Sequence, residues 1–337
     1  MNLPEPKLNI ASSPHLKCGL SVRQIMLQVL YALIPVCFFA VYAFGLSALL
    51  ILMTAILSCL LTEKVFNYFS GQNLNSSDLS VIITGVLFGL TLPPALPLWM
   101  VCVGGFFSIS LGKFIFGGLG FNPFNPALVG RAFLQAAFPS AMTQWSPAFA
   151  ADRFSSLPTS SLTFPFFSPE YDQLSSATPL AALKFSGSNS SEMDLFLGLN
   201  HGSLGETCSI LILCCGLYLI YRGLMNWRIP AGIFLVIILL TNILSFTSEE
   251  LQPSVFFMMF SGGLMLGAMF MATDPVASPI THWGCFVYGC IIGLLIFIIR
   301  IWGGMPEGVM YAILLANAIS PHIDKLFQPV PFGRKNA

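Results

Sequence analysis

Charge is what this sequence has least of. Only 8% of its 337 residues are Asp, Glu, Lys or Arg, 14 of each sign, for a formal net charge of zero. Soluble domains carry about 25% charged residues, so this chain cannot cover a water-facing surface. The basic residues are scattered singly, which excludes a nucleic-acid-binding face.

Order among metal-ligating residues is also missing. The nine cysteines (18, 37, 59, 102, 208, 214, 215, 285, 290) form no C-x-x-C pair, and the four histidines (15, 201, 282, 322) are dispersed. A structural zinc site or a self-contained iron–sulfur cluster needs closely spaced ligands, so no metal is expected. Most of the cysteines lie in apolar runs, where a thiol behaves as a small hydrophobe. There is no G-x-G-x-x-G after a strand, and hence no expected dinucleotide site.

Apolar length is what remains. Hydrophobic residues make up 55% of the chain, and the mean hydropathy is +0.81. A spanning helix needs about 20 mostly apolar residues. Ten stretches qualify as candidates: 24–44, 47–69, 79–92, 96–116, 125–138, 204–221, 229–246, 255–272, 284–300 and 306–320. The expected fold is an all-α integral membrane protein. The third, fifth and tenth stretches are short and flanked by Gly and Pro, as in GLTLPPALP, GGLGFNPFNP and GGMPEG. Interrupted segments of this kind are expected to be half helices around a cavity or buried site. The polar start MNLPEPKLNIASSPH is not a signal peptide, so the first apolar run is expected to be a retained anchor.

With the N-terminus in the cytoplasm, ten of the 14 basic residues fall inside. Three (Arg153, Lys184 and Arg300) fall outside, and Arg131 falls within a span. The positive-inside rule then puts both termini in the cytoplasm. The expected division is a tail (1–23), five helices (24–138), an extracytoplasmic loop (139–203), five more helices (204–320) and a second tail (321–337). The chain also echoes itself. ITGVLFGLTLPP (83–94) resembles FSGGLMLGAMFMATDP (260–275), and FGGLGFNPFNPALVGRAFL (116–134) resembles WGGMPEGVMYAILLANA (302–318). Five spans separate the copies, so the second five-helix repeat is expected to be inverted. Such repeats place a site near the midplane, between the halves.

Few residues are left to carry chemistry. Asp274, in ATDPVASP, reads either as a turn residue before Pro275 or as a member of an ion path or cofactor contact. Arg131 cannot face lipid, so it must pair, snorkel or meet an anionic ligand. Asn122 and Asn125 each precede a proline and suit helix capping, and Asn125, with Asp274 and Arg131, is also a candidate for an ion path or cofactor contact. Glu206 is expected to stabilise the start of its span through the helix dipole. SGSNSSEMD (186–194) reads as a flexible linker, and Asn189 within it fits the glycosylation triplet. The polar stretch DQLSSATPLAALK (172–184) is either plain solvated loop or the site of a covalent acceptor, with Thr178 between small neighbours and Pro179.

SSATPL is similar to the [S/D]-G-A-T-type flavin attachment motif, with Ser176 where many relatives have Gly. Beside it, GGLGFNPFNPALVGRAFL, MATDPV and IASSPH resemble, in matching order over nearly the whole chain, the RnfD family of the bacterial Rnf ion-translocating electron-transport complex. The NqrB family of the sodium-pumping NADH:quinone reductase shares the NPFNPA and ATDPV stretches and is the alternative. A third reading is a cofactor-free secondary transporter or channel. The resemblance implies FMN joined through its phosphate to the Thr178 hydroxyl by an extracytoplasmic flavin transferase. It implies an inner-membrane subunit that passes electrons and couples them to sodium or proton movement. Other membrane and peripheral Rnf subunits are implied as partners, and there is room for a second, noncovalent flavin.

Overall fold

A computed structural model of the chain describes residues 19, 21–71, 79–165, 167, 177–186, 191–198, 200–247 and 253–328. Every regular element among them is helical. Ser21 opens α1 (Val22–Phe44) with a reciprocal cap: Gln24 N donates to Ser21 Oγ (3.3 Å) and Ser21 N donates to Gln24 Oε1 (2.9 Å). One residue, Gly45, then turns the chain into α2 (Leu46–Phe69). Its φ is +71°, and a Cβ there would stand 2.0 Å from the Arg153 carbonyl oxygen. That carbonyl accepts from Leu46 N (3.0 Å), tying the outer segment to the hairpin.

The next helices are short or interrupted. α3 (Leu79–Leu90) has 12 residues, about 18 Å at 1.5 Å per residue, against a hydrocarbon core of about 30 Å. α4 (Leu98–Ile109) continues into a π turn, Ser110–Phe114. α5 (Pro126–Ala137) follows NPFNP, and a single turn, α6 (Pro139–Met142), lies beyond it. A 3₁₀ turn (Thr159–Leu162), α7 (Pro179–Ser186) and α8 (Glu192–Leu197) make up the regular part of the segment before the second half. There, α9 (Ser209–Tyr221) and α10 (Arg228–Thr247) precede α11 (Val255–Phe260) and α12 (Leu264–Leu266), which runs into a π turn, Gly267–Met271. α13 (His282–Trp302) and α14 (Val309–Leu326) complete the series.

Four helices, α1, α2, α10 and α13, are long and apolar enough to cross a bilayer, and α3, α4 and α9 are shorter apolar helices. Their outer faces carry exposed side chains such as Phe38, Leu61, Ile243 and Phe246, as lipid contact requires. Inside, small residues let backbones close up. A Cβ on Gly105 of α4 would meet Ser58 Oγ of α2 at 1.9 Å, and one on Gly289 of α13 would meet the Ile229 carbonyl of α10 at 2.3 Å. So α2 packs on α4 and α10 on α13, while α4 also packs on α5 and α13 on α14.

The interrupted ends are satisfied across the molecule. The Leu90 and Leu92 carbonyls, at the broken end of α3, accept from Gly205 N (2.6 Å) and Leu204 N (3.1 Å). The Met271 carbonyl, at the end of the π turn after α12, accepts from Asn125 Nδ2 (3.2 Å). Non-helical backbone at this depth survives only with such partners.

Three expectations need correction. The tenth stretch is not short: α14 has 18 residues and carries on through Pro321 to Leu326, into the segment expected as a tail. Its apolar run stops before the helix does, because the polar turn His322–Lys325 still completes the backbone ladder. The interrupted segment of the second half is instead the eighth, broken between Phe260 and Leu264 at Ser-Gly-Gly. Glu192–Leu197 is helix α8, where a linker was expected; residues 187–190, Asn189 among them, lie outside the described residues.

Candidate functional site

A cavity of about 560 Å³ opens between α5, α6, α7 and the start of α14. Arg131, Gln135, Trp145, Thr178, Phe185, Ser203, Glu307 and Tyr311 line it. Residues on both sides of the 139–203 segment therefore converge on one space.

Thr178 is in the wall of this cavity, but not in a solvated loop as its sequence suggests. It is 2% exposed and serves as the N-cap of α7. Ala181 N donates to its Oγ1 (3.3 Å), and Ala182 N donates to its carbonyl (2.8 Å). The physical reason is local. Pro179 fixes the first helical φ, and the apolar Leu180 that follows is 4% exposed and pulls the helix onto the body. Gly262, at φ +64°, leaves Leu180 its place: a Cβ there would come within 2.8 Å of Leu180 Cδ1. At the far end of α7, Lys184 Nζ donates to the carbonyls of Arg300 (2.9 Å), Gly303 and Met305 (3.4 Å). The ammonium thus sits at the C-terminus of α13, where a cation is favoured by the helix dipole. Desolvation there lowers its affinity for a proton. Ser175 and Ser176 lie outside the described residues.

Buried charges gather beneath the cavity. Arg131, 9% exposed, donates from Nη2 to Glu307 Oε2 at 2.8 Å. Of the three fates open to Arg131, the structure selects pairing, and the partner comes from the opposite half of the chain. Glu206 is half-buried and accepts from Ser203 Oγ at its Oε1 (2.7 Å). It precedes α9 by three residues and faces this cluster, so the dipole role expected for it is not the main one. Arg300, 4% exposed, is held by backbone, donating to the carbonyls of Met258 and Ser261 (2.8 Å to the latter).

Asp274 and Asn125 are elsewhere. They border a second cavity of about 310 Å³, together with Ser80, Thr84, Lys113 and Asn122. Asp274 Oδ1 accepts from Val276 N (3.1 Å), so the turn role is met in full. Asn125 caps α5 by accepting from Ala127 N at Oδ1 (3.0 Å). Asn122 instead donates to the Phe124 carbonyl (3.2 Å) and caps nothing. Lys113 pairs with Glu63 (2.8 Å) and donates to Ser80 Oγ (3.0 Å). The expected site residues therefore divide: Thr178 and Arg131 share one cavity, and Asp274 and Asn125 share the other.

Glu307, Glu206, Lys184 and Arg300 were missed as a group. One signal was available: an arginine inside a span demands an acid, and Glu307 stands in GGMPEG, the stretch that echoes the one holding Arg131. The chain is similar to known proteins over almost its whole length. The NQR2, RnfD, RnfE family matches residues 9–333. The chain is 39% identical over 336 residues to the D component of a proton-translocating ferredoxin:NAD(+) oxidoreductase complex from Clostridium ljungdahlii, covering 97% of this chain and 96% of that one. It is 40% identical over 333 residues to the D component of the Na(+)-translocating counterpart from Acetobacterium woodii (98% and 96% covered). The D component of an ion-translocating oxidoreductase complex from Alcanivorax borkumensis is 38% identical over 337 residues (97% and 97%).

Proposed function

This chain belongs to the NQR2, RnfD, RnfE family, and from that premise we propose that it carries FMN on Thr178 in an Rnf-type membrane complex. It is a subunit of an ion-translocating oxidoreductase complex, as its relatives are, and works in electron transport and ion movement. The observation that carries the flavin reading is the position of Thr178. The one hydroxyl that matches the attachment motif is on the wall of a cavity of about 560 Å³, within the 300–1,000 Å³ usual for cofactor sites.

The residues present fit the group. Trp145, Phe185 and Tyr311 offer aromatic faces to a planar ring, and Gln135 and Ser203 offer hydrogen bonds. Arg131 supplies positive charge in the wall, with a buried Nε that has no partner, suited to an anionic cofactor. Bound there, the flavin supplies one- and two-electron chemistry, while the protein sets its position and electrostatics. Thr178 anchors, the aromatic side chains exclude water, and the Arg131–Glu307 pair fixes the charge beside the cavity. Purified from a host with a flavin transferase, the protein should show flavin fluorescence on a denaturing gel. A colourless, non-fluorescent protein would favour a cofactor-free transporter instead.

The architecture proper to this reading is ten spans in two inverted repeats. It is supported by matched packing: second helix on fourth and fourth on fifth in each half, with α5 against α14 between halves. Both termini face the cytoplasm and residues 139–203 face outside, on the strength of the basic-residue asymmetry. Leu162, 67% exposed, is the place to test this. A Leu162→Cys thiol should react with an impermeant maleimide added outside intact cells. Reaction only after the membrane is opened would reverse the topology.

Asp274 and Asn125 belong to the ion path in this account, entered from the second cavity. Asp274→Asn keeps the turn, because an amide oxygen also accepts from Val276 N, but removes the charge. It should cut ion-gradient formation in membrane vesicles several-fold while leaving flavin attachment intact. A normal gradient would return Asp274 to the turn role alone.

A further inference from the structure

One buried acceptor in the charge cluster has nothing to accept from. Glu307 Oε2 takes the Arg131 guanidinium at 2.8 Å, but Glu307 Oε1 is buried without a hydrogen-bond partner. Buried polar atoms are nearly always paired, so an orphan calls for an explanation. The Glu206 side chain lies against that of Glu307, the two flanking the Gly262–Gly263 turn: a Cβ on Gly262 would lie 3.9 Å from Glu307 Cγ, and one on Gly263 3.8 Å from Glu206 Oε1. Two ionised carboxylates are acceptors only and cannot bond to one another; a proton on one turns it into a donor.

The surroundings point the same way. Among the described residues no Lys, Arg or His forms an ion pair with Glu206, and the donor to its Oε1 is the neutral Ser203 hydroxyl. Even a half-buried carboxylate is costly when no cation pairs with it and a second carboxylate lies against it, and neutralising it is the cheap remedy. Arg300 donates from both Nη atoms to the Met258 and Ser261 carbonyls and makes no ion pair with Glu206. Lys184 is committed to carbonyls around the end of α13. Arg131 faces the pair from α5 but is bonded to Glu307 alone, and Tyr311 faces it from α14 without charge. Gly263 marks where the groups meet: a Cβ there would lie 3.8 Å from Glu206 Oε1 and 3.9 Å from Arg131 Nη1.

We propose that Glu206 and Glu307 share one proton, and that this carboxyl–carboxylate pair is the chain's proton-exchange site beside the Thr178 cavity. The proton forms an O–H bond on Glu206 and a hydrogen bond to Glu307 Oε1. When negative charge arrives in the cavity, Arg131 is drawn to it and loosens from Glu307, whose freed carboxylate binds a second proton from the medium. Loss of that charge reverses both moves, and no covalent bond other than O–H forms or breaks. Sharing of the resting proton stands on this chain's own atoms. Its exchange on charge arrival rests on the flavin reading.

Infrared spectra separate the two. Flavin-free protein in detergent at neutral pH should show a neutral-carboxyl carbonyl band that shifts in D₂O, and both Glu206→Gln and Glu307→Gln should remove it. A spectrum without the band, or a band unchanged by both substitutions, overturns the shared proton, whether or not the protein ever carries flavin. Should the glutamine variants fail to accumulate, Glu206→Asp keeps a carboxyl on a shorter stem and should displace the band. In flavin-loaded protein, the midpoint potential should fall by about 59 mV per pH unit where one proton follows each electron. Glu307→Gln, which removes the carboxylate that takes the second proton, should flatten that slope at least twofold near neutrality. An unchanged slope overturns the exchange step even if the band behaves as expected.

Discussion

Thr178→Ala should purify with no covalently held flavin, its band dark on a gel where the wild-type band fluoresces. The loss should be complete, because an ester needs one hydroxyl presented at one place, and position accounts for much of the rate of such a reaction. Ser175→Ala should leave the signal intact. The substitution is not silent for stability, as it would be in a solvated loop. Thr178 Oγ1 caps α7 through Ala181 N, so its removal should cost about 0.5–2 kcal/mol. The variant should still accumulate and assemble, since Leu180 and Lys184 continue to hold α7 down. Electron transfer through the complex should collapse while protein levels fall only slightly. The 2% exposure of Thr178 adds a condition: a transferase reaches this hydroxyl only before α7 docks or while it is lifted.

The second large effect is on stability. Arg131→Met should lower stability by about 3–5 kcal/mol, the usual consequence of leaving a buried charge without its partner. The Arg131 and Glu307 side chains are only 11% and 17% exposed, and the bond between them is 2.8 Å. The loss should appear as a large drop in the thermal unfolding midpoint in detergent. Arg131→Met combined with Glu307→Gln should recover most of it, because no unpaired charge then remains. A double variant as unstable as the single one would show that Arg131 acts through its packing.

Much of this was legible in the sequence because apolar length and punctuation are local. Long runs such as 24–44 and 47–69 announce helices α1 and α2, and the Leu-Thr-Leu-Pro-Pro stop ends α3 at Leu90. Arg131 signalled by its place that it must pair, snorkel or meet an anion, and the structure supplies Glu307 as its partner. The rest was hidden where tertiary contact overrides composition. Thr178 sits in a stretch polar enough for open loop, and only the docking of Leu180 against Gly262 buries it. Glu206 looked like a dipole partner, because nothing local shows that Glu307, about a hundred residues on, stands beside it. The break in the eighth segment was obscured because Ser-Gly-Gly between Phe260 and Leu264 passes as small residues in a continuous span.

The central claim is that Thr178 itself bears the flavin, and peptide mapping tests it most directly. Protein from a transferase-containing host is digested, and the fluorescent peptide is fragmented in a mass spectrometer. The account predicts the added mass of FMN, less one water, on Thr178 and on no neighbouring residue. The same mass on Ser175 or Ser176, or an unmodified Thr178 peptide from fully assembled, active complex, would contradict it.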